Sequence, residues 1–205
     1  TFEESLKFFP NKGVVTGNPV RKEFFEVKPK KREAKLNLLI FGGSQGARAI
    51  NFAMVDALKN LPIDKLNIVH QTGEHDFEKV AEGYKDANVS ADIRKYITDM
   101  VAEFAKADLV ICRAGATTCA ELSAAGKVGI MIPLPTAADD HQRKNAEALV
   151  NANAAKMILQ ADLTGESLAK EITEMINSPE KISEMERNAK GLAKADAAEV
   201  TVDII

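Results

Sequence analysis

The chain has 205 residues, 45% of them hydrophobic and 28% charged, with a formal net charge of −3. That is enough for one ordinary domain with a real core and a short appendage, and the slight acidity provides no electrostatic footprint for nucleic acid. No apolar run approaches the roughly 20 residues that span a bilayer and no secretory leader pattern opens the chain, so any membrane contact is expected to be peripheral.

Residues 1–35 stand apart from the rest of the chain. Phe8-Phe9-Pro10, Gly13-Val14-Val15 and Thr16-Gly17-Asn18-Pro19 suggest one short strand and a turn, and the basic cluster from Lys28 to Lys35 alternates with Pro29 and Glu33 as a solvated linker does. This stretch reads as the tail of a preceding domain plus a linker. From Leu36 onward strand-like and helix-like runs alternate. Strands are expected near 36–42, 66–71, 91–96, 109–113, 128–132 and 155–159, with helices near 46–60, 74–83, 99–107, 117–126, 141–152 and 165–177. Ser178-Pro179 supplies an N-cap and a proline at the first helical position for a further helix to about Leu192, and a last helix is expected over 196–205. Repeated β-α units with short connections imply an α/β, Rossmann-like doubly wound parallel sheet. The expected division is therefore 1–35, a binding domain over 36–192, and a C-terminal helix over 193–205.

Two apolar runs end in glycine-containing turns that open helices: Leu38 to Ala47, containing Gly42-Gly43-Ser44-Gln45-Gly46, and Leu109 to Thr118, containing Cys112-Arg113-Ala114-Gly115-Ala116-Thr117-Thr118. Such turns aim backbone N–H groups and the positive end of a helix dipole at one spot, which suits phosphate. With strand order 3-2-1-4-5-6, strands one and four flank the point where the winding reverses, so both turns face one crevice. The first turn lacks the nicotinamide fingerprint, strand two ends in His70-Gln71-Thr72-Gly73 without an acid for a ribose, and neither turn carries the G-K-[ST] of a P-loop.

Individual residues in these turns admit two roles. Ser44 can donate to a phosphate or cap the following helix. Thr118-Cys119-Ala120-Glu121 has the form of a T-x-x-E capping box, yet a carboxylate at this turn could equally accept both hydroxyls of a ribose. The loop Pro133 to Gln142 either reads sugar hydroxyls through Gln142 and Asn145 or is a helix start capped by Asp139 or Asp140. Cys112 and Cys119 lack C-x-x-C spacing and read as small buried hydrophobes of a reducing compartment. His70, His75 and His141 form no zinc pattern, and Asp139-Asp140 lacks D-x-D spacing; no metal or cofactor is expected.

Thr16-Gly17-Asn18-Pro19-Val20-Arg21, Gly42 to Ala47, Ile97-Thr98-Asp99-Met100, Cys112 to Glu121 and Asp140-His141-Gln142 with Asn145-Ala146 together resemble the MurG family of bacterial N-acetylglucosaminyltransferases, in order and over nearly the whole chain. The resemblance implies the carboxyl-terminal, donor-binding half of a GT-B glycosyltransferase, acting on UDP-N-acetylglucosamine and on lipid I at the cytoplasmic face of the cell membrane in peptidoglycan synthesis. It implies that Ile97 lines a uracil site, that Ser44 and the turn Ala116-Thr117-Thr118 bind the diphosphate, that Cys119 and Ala120 belong to the same substrate-binding run, that Glu121 holds the ribose, that Gln142 meets the sugar and that Arg21 also binds the donor. The family's acceptor site and general base belong to an amino-terminal domain without counterpart in these residues, so no catalytic residue is assigned. Alternatives are another GT-B UDP-sugar transferase, or a stand-alone nucleotide-sugar-binding subunit that needs a partner chain.

Overall fold

The computed structural model describes residues 13–31 and 33–204. Its strands are β1 (Leu36–Phe41), β2 (Leu66–Gln71), β3 (Asp92–Arg94), β4 (Leu109–Cys112), β5 (Val128–Met131) and β6 (Ala155–Met157). They form one sheet, parallel throughout, in the order β3-β2-β1-β4-β5-β6. The helices are α1 (Lys22–Phe25), α2 (Arg48–Ala57), α3 (Phe77–Asp86), α4 (Met100–Lys106), α5 (Ala116–Ala125), α6 (His141–Asn151), α7 (Gly165–Ile176), α8 (Pro179–Gly191) and α9 (Ala197–Ile204). None of them is long and apolar enough to cross a membrane.

The central strands β4 and β5 and the run Leu38 to Phe41 of β1 are apolar without interruption because both sheet faces are covered there. Successive residues therefore serve opposite layers. Leu38, Ile40, Leu109, Ile111, Val128 and Ile130 pack with Ile50 and Met54 of α2, Val80 of α3, Leu168 and Ile172 of α7 and Ile182 of α8. Leu39, Phe41, Val110, Cys112 and Met131 pack on the other side with Phe104 of α4, Leu122 of α5 and Leu149 of α6. The edge strands β3 and β6 are each three residues long, shorter than expected, because each has only one neighbour to pair with.

The larger departure lies in the expected linker. Residues 22–25 form a helical turn, and Phe24 is wholly buried, edge-on to Phe104 with ring centroids 5.1 Å apart. Val27 is buried in the same cluster, and Lys30 pairs with Asp108 at 3.2 Å. Charge alternation described the exposed side of this segment correctly but hid its two anchors. Of the short strand expected in the opening stretch, Phe8-Phe9-Pro10 lies outside the described residues, and residues 13–20 are irregular. At the far end Ala197 of α9 is buried, and Lys194 and Ala197 pack on Gly17, so the segment around Gly17 lies against the start of α9.

Because Phe24 fills a closed space between α1 and α4, Phe24→Ala is expected to cost about 3–5 kcal/mol in urea unfolding. A free linker would lose almost nothing.

Candidate functional site

The β1–β4 pairing, Leu38↔Leu109 through Ile40↔Ile111, makes these neighbours at the reversal of winding. The chain leaves β1 toward α2 on one face and leaves β4 toward α5 on the other. The first amide of α2 with an intrahelical acceptor is Asn51, bonded to Ala47 O at 2.9 Å, so the N–H groups of Arg48, Ala49 and Ile50 have none. In α5 the first is Cys119, bonded to Gly115 O at 2.9 Å, leaving Ala116, Thr117 and Thr118. Two sets of unpaired donors and two positive helix ends thus sit at the carboxyl edge of adjacent strands, an arrangement suited to a diphosphate.

The turn before α2 is set by close contacts that exclude side chains. Gly46 has φ +78°, and a Cβ there would lie 1.9 Å from Thr72 O. Gly73, with φ +77°, would likewise meet Gln45 O at 2.4 Å. Ser44 stands exposed in this turn, three residues ahead of the N-cap Ala47, and so does not cap α2. Its hydroxyl faces solvent at the head of the helix.

The capping-box reading of Thr118 and Glu121 fails on geometry. The N-cap of α5 is Gly115, which puts Thr118 inside the first turn, and no side chain caps this helix. A true reciprocal box occurs at α7, where Thr164 Oγ1 accepts from Ser167 N at 3.0 Å and Ser167 Oγ from Thr164 N at 2.9 Å. Glu121 is half-buried and has no hydrogen bond or ion pair among the described residues. Burial pushes its carboxyl above the usual carboxylate range, and the charge of Arg21 acts in the opposite direction.

Arg21 reaches this region because Asn18 Nδ2 donates to Thr117 Oγ1 at 3.5 Å, holding the Asn18-Pro19 turn against the start of α5. The guanidinium lies over the Phe24 ring, 5.2 Å from its centroid. Ala120 meets the same turn, sharing a crevice of about 20 Å³ with Gly17, Asn18 and Val20; its contact is packing. Cys119 is withdrawn from the expected set. Its thiol is wholly buried and pushed up to about 12 by desolvation, and its N–H is taken by Gly115. Both cysteines are free and buried.

Gln142 Oε1 accepts from Ala114 N at 3.2 Å and Leu134 N at 3.0 Å, tying the β4–α5 turn to the β5–α6 loop. That leaves its amide NH₂ to meet a ligand. Asn145 Nδ2 donates to Ala114 O at 3.1 Å, and Arg113 binds Ile132 O, Pro133 O and Gln160 Oε1; both shape the loops. Asp140 is the N-cap of α6 by position but makes no side-chain cap, with both Asp139 and Asp140 in the left-handed region at φ 51° and 55°.

Ile97 is 2% exposed, with its side chain in the core and its N–H donated to Gln71 Oε1 at 2.8 Å. Gln71 Nε2 in turn donates to Gly43 O at 2.9 Å. One buried amide therefore holds the first glycine turn and the segment of Ile97 at a set spacing. In the sequence Gln71 counted only as the absence of an acid. Beside it, Asn51 Nδ2 donates to Thr72 O at 2.9 Å and Asp76 Oδ2 at 3.0 Å, while His70 bridges Asn51 Oδ1 and Tyr84 Oη at 3.1 Å each. Asp76 spends its carboxylate here and does not cap α3, which begins at Phe77, later than expected. These residues gave no motif because their partners are remote in the chain.

Burial lowers His70 from 6.5 to about 3, so it is neutral in the fold. The unfolded chain then binds a proton that the native state refuses, and stability falls as pH drops below about 6.5. Between about pH 6 and 4.5, unfolding free energy is expected to fall by about 1.4 kcal/mol per pH unit from this residue. Urea titrations across that window should show the slope in the wild type and its loss in His70→Asn.

The profile of the Glycosyltransferase family 28 C-terminal domain matches residues 37–201. The UDP-N-acetylglucosamine--N-acetylmuramyl-(pentapeptide) pyrophosphoryl-undecaprenol N-acetylglucosamine transferase of Geotalea uraniireducens is 48% identical over 211 residues, covering 99% of this chain and 58% of the relative. The protein of the same name from Geobacter sp. strain M21 is 49% identical, covering 97% and 55%. The crystal structure of Acinetobacter baumannii MurG superposes with a TM-score of 0.79 at 39% identity, over 87% of this chain and 54% of that one. The chain thus spans little more than half the length of these relatives. The six-stranded parallel sheet, the two glycine turns and a match over 165 contiguous positions (37–201) agree: the chain belongs to the glycosyltransferase family 28 C-terminal domains, the carboxyl-terminal half of the GT-B fold.

Proposed function

We propose that this chain binds UDP-N-acetylglucosamine as the donor domain of an inverting, metal-independent transferase that adds N-acetylglucosamine to lipid I. The observation that carries the reading is the pair of unpaired helix starts of α2 and α5 across β1 and β4, with an unpartnered, half-buried Glu121 one turn into α5. The diphosphate would lie between the helix starts, Glu121 would accept from the ribose hydroxyls, and uracil would approach Ile97. Gln142 would donate to the sugar through its free NH₂, and Arg21 would add positive charge beside Glu121.

In the full reaction a hydroxyl of the acceptor sugar attacks the anomeric carbon and UDP departs. Charge then grows on the diphosphate, where amides already oriented by the fold stabilise the transition state more than the ground state. The acceptor site and general base would lie in the other half of the protein, at the cytoplasmic face of the membrane. The isolated chain would bind donor without turnover. An alternative assignment, a GT-B transferase with a different acceptor, would share the diphosphate cradle and differ in that other half.

Calorimetric titration tests the reading. UDP is expected to bind more tightly than ADP or NAD, and EDTA should leave its affinity unchanged; equal affinity for the three nucleotides would remove the uridine assignment. Glu121→Gln should weaken UDP by about 1.5–3 kcal/mol, the range for a charged hydrogen bond. Its melting temperature should hold or rise, because burial already disfavours the charged carboxylate in the empty site.

Gln142 needs a ratio of affinities, since its carbonyl supports two loops whatever its NH₂ does. Gln142→Ala is expected to weaken UDP-N-acetylglucosamine by about 1 kcal/mol more than UDP. Equal weakening of both ligands would make Gln142 a loop support alone.

A further inference from the structure

A separate cavity of about 540 Å³, its lining mostly apolar, opens at the opposite edge of the sheet, where Lys127 and Gly126 precede β5 and Lys30 binds Asp108 just ahead of β4. Its walls come from two segments far apart in sequence: Val27, Lys28, Pro29 and Lys30 on one side, and Arg187 and Lys190 of α8 on the other. Five cationic residues line it against one acid, Glu186, in a chain of net charge −3. Lys28 and Lys30, the first lysines of the cluster that read as a solvated linker, thus stand in one wall of a cationic cavity, held in place by the buried Phe24 and Val27.

The cations differ in what they already do. Lys127 is 2% exposed and donates to Ala107 O at 2.8 Å, Lys30 is paired with Asp108, and Lys190 Nζ reaches Phe25 O at 3.0 Å and also Ala124 O. These fix the frame. Lys28 and Arg187 are at the rim and have no hydrogen bond or ion pair among the described residues. Between them Val27, Pro29 and Ala125 supply apolar wall. The volume is that of a small-molecule site, and a guanidinium beside ammonium groups suits phosphate oxygens.

We propose that this cavity is a second anion site, which takes a phosphate group carried on an apolar body. Arg187 and Lys28 hold the phosphate at the rim, and the apolar portion lies against Val27, Pro29 and Ala125. The site shares no residue with the donor cradle and does not rest on the donor assignment. The phosphate can belong to a soluble phosphate ester or to the headgroup of an anionic lipid in a bilayer.

Octyl phosphate and vesicles of phosphatidylglycerol, with phosphatidylcholine vesicles as control, separate these sources. Saturable octyl phosphate binding should shift the backbone amide resonances of Gly126, Lys127 and Arg187 and weaken with added salt. Lys28→Glu with Arg187→Glu should reduce the affinity at least about tenfold, whereas Lys170→Glu, an exposed charge reversal on α7, should not. Vesicle binding with the same sensitivity and no response to octyl phosphate assigns the site to a bilayer. The milder pair Lys28→Gln and Arg187→Gln serves if the reversal fails to fold. No binding of either probe, shifts confined to another surface, or wild-type affinity in the double variant would overturn the proposal.

Discussion

The parallel pairing of β1 with β4 is the constraint on which the site depends. A right-handed crossover from β1 must run on one face of the sheet, and the crossover from β4 winds away in the other direction on the opposite face. The pairing Ile40↔Ile111 therefore places α2 and α5 on opposite faces, with their amino ends on either side of one gap. No side chain makes that gap; it is a consequence of strand order and chain handedness. What side chains do is hold its margins steady.

Most polar side chains around the gap are spent on the protein itself. Gln71 spans Gly43 and Ile97, the Asn51–His70–Tyr84 network locks the β2 end beneath the first turn, and Gln142, Asn145 and Arg113 stitch the second turn to the loop after β5. The bridges of Asn51, His70 and Gln71 satisfy polar groups that would otherwise be buried and unpaired, at a cost of about 1–3 kcal/mol apiece. Ser44, Glu121 and the helix-start amides remain uncommitted. A site preorganised in this way loses little entropy on binding, because its donors are already in place.

The two edges of the sheet carry different electrostatics. At the carboxyl edge the positive potential comes from backbone dipoles and from Arg21, and it surrounds a carboxylate. At the amino edge it comes from side chains, where helix carboxyl ends such as Ala124 O need cationic partners and Lys190 provides one. Basic residues recruited to satisfy helix ends thus gather beside the linker lysines, and Lys28 and Arg187 remain at the rim to meet an anion.

The doubly wound class, the two phosphate-suited turns and the family were legible from the chain alone, because they depend on local patterns: apolar runs for strands buried on both faces, glycines where backbones meet, and short motifs in fixed order. Gly46 and Gly73 are of this kind, since a contact that excludes a Cβ leaves its mark on the residue itself. Other properties depended on what stands opposite. Whether Thr118 caps a helix turned on where α5 begins, and whether Phe24 belongs to a linker turned on the space beside Phe104. Gln71 showed no function until Gly43 and Ile97 were seen on its two sides. The sequence by itself determined the alternating strands and helices, hence the doubly wound class whose common strand order this sheet follows, and the turns suited to an anion, because hydrophobic periodicity and backbone sterics are properties of neighbouring residues. Only the tertiary structure decided which side chains are free to bind and which are consumed in support, because a hydrogen-bonding group is defined by its partners, and for Gln71, Asn51 and Asn145 those partners stand on other elements, far along the chain.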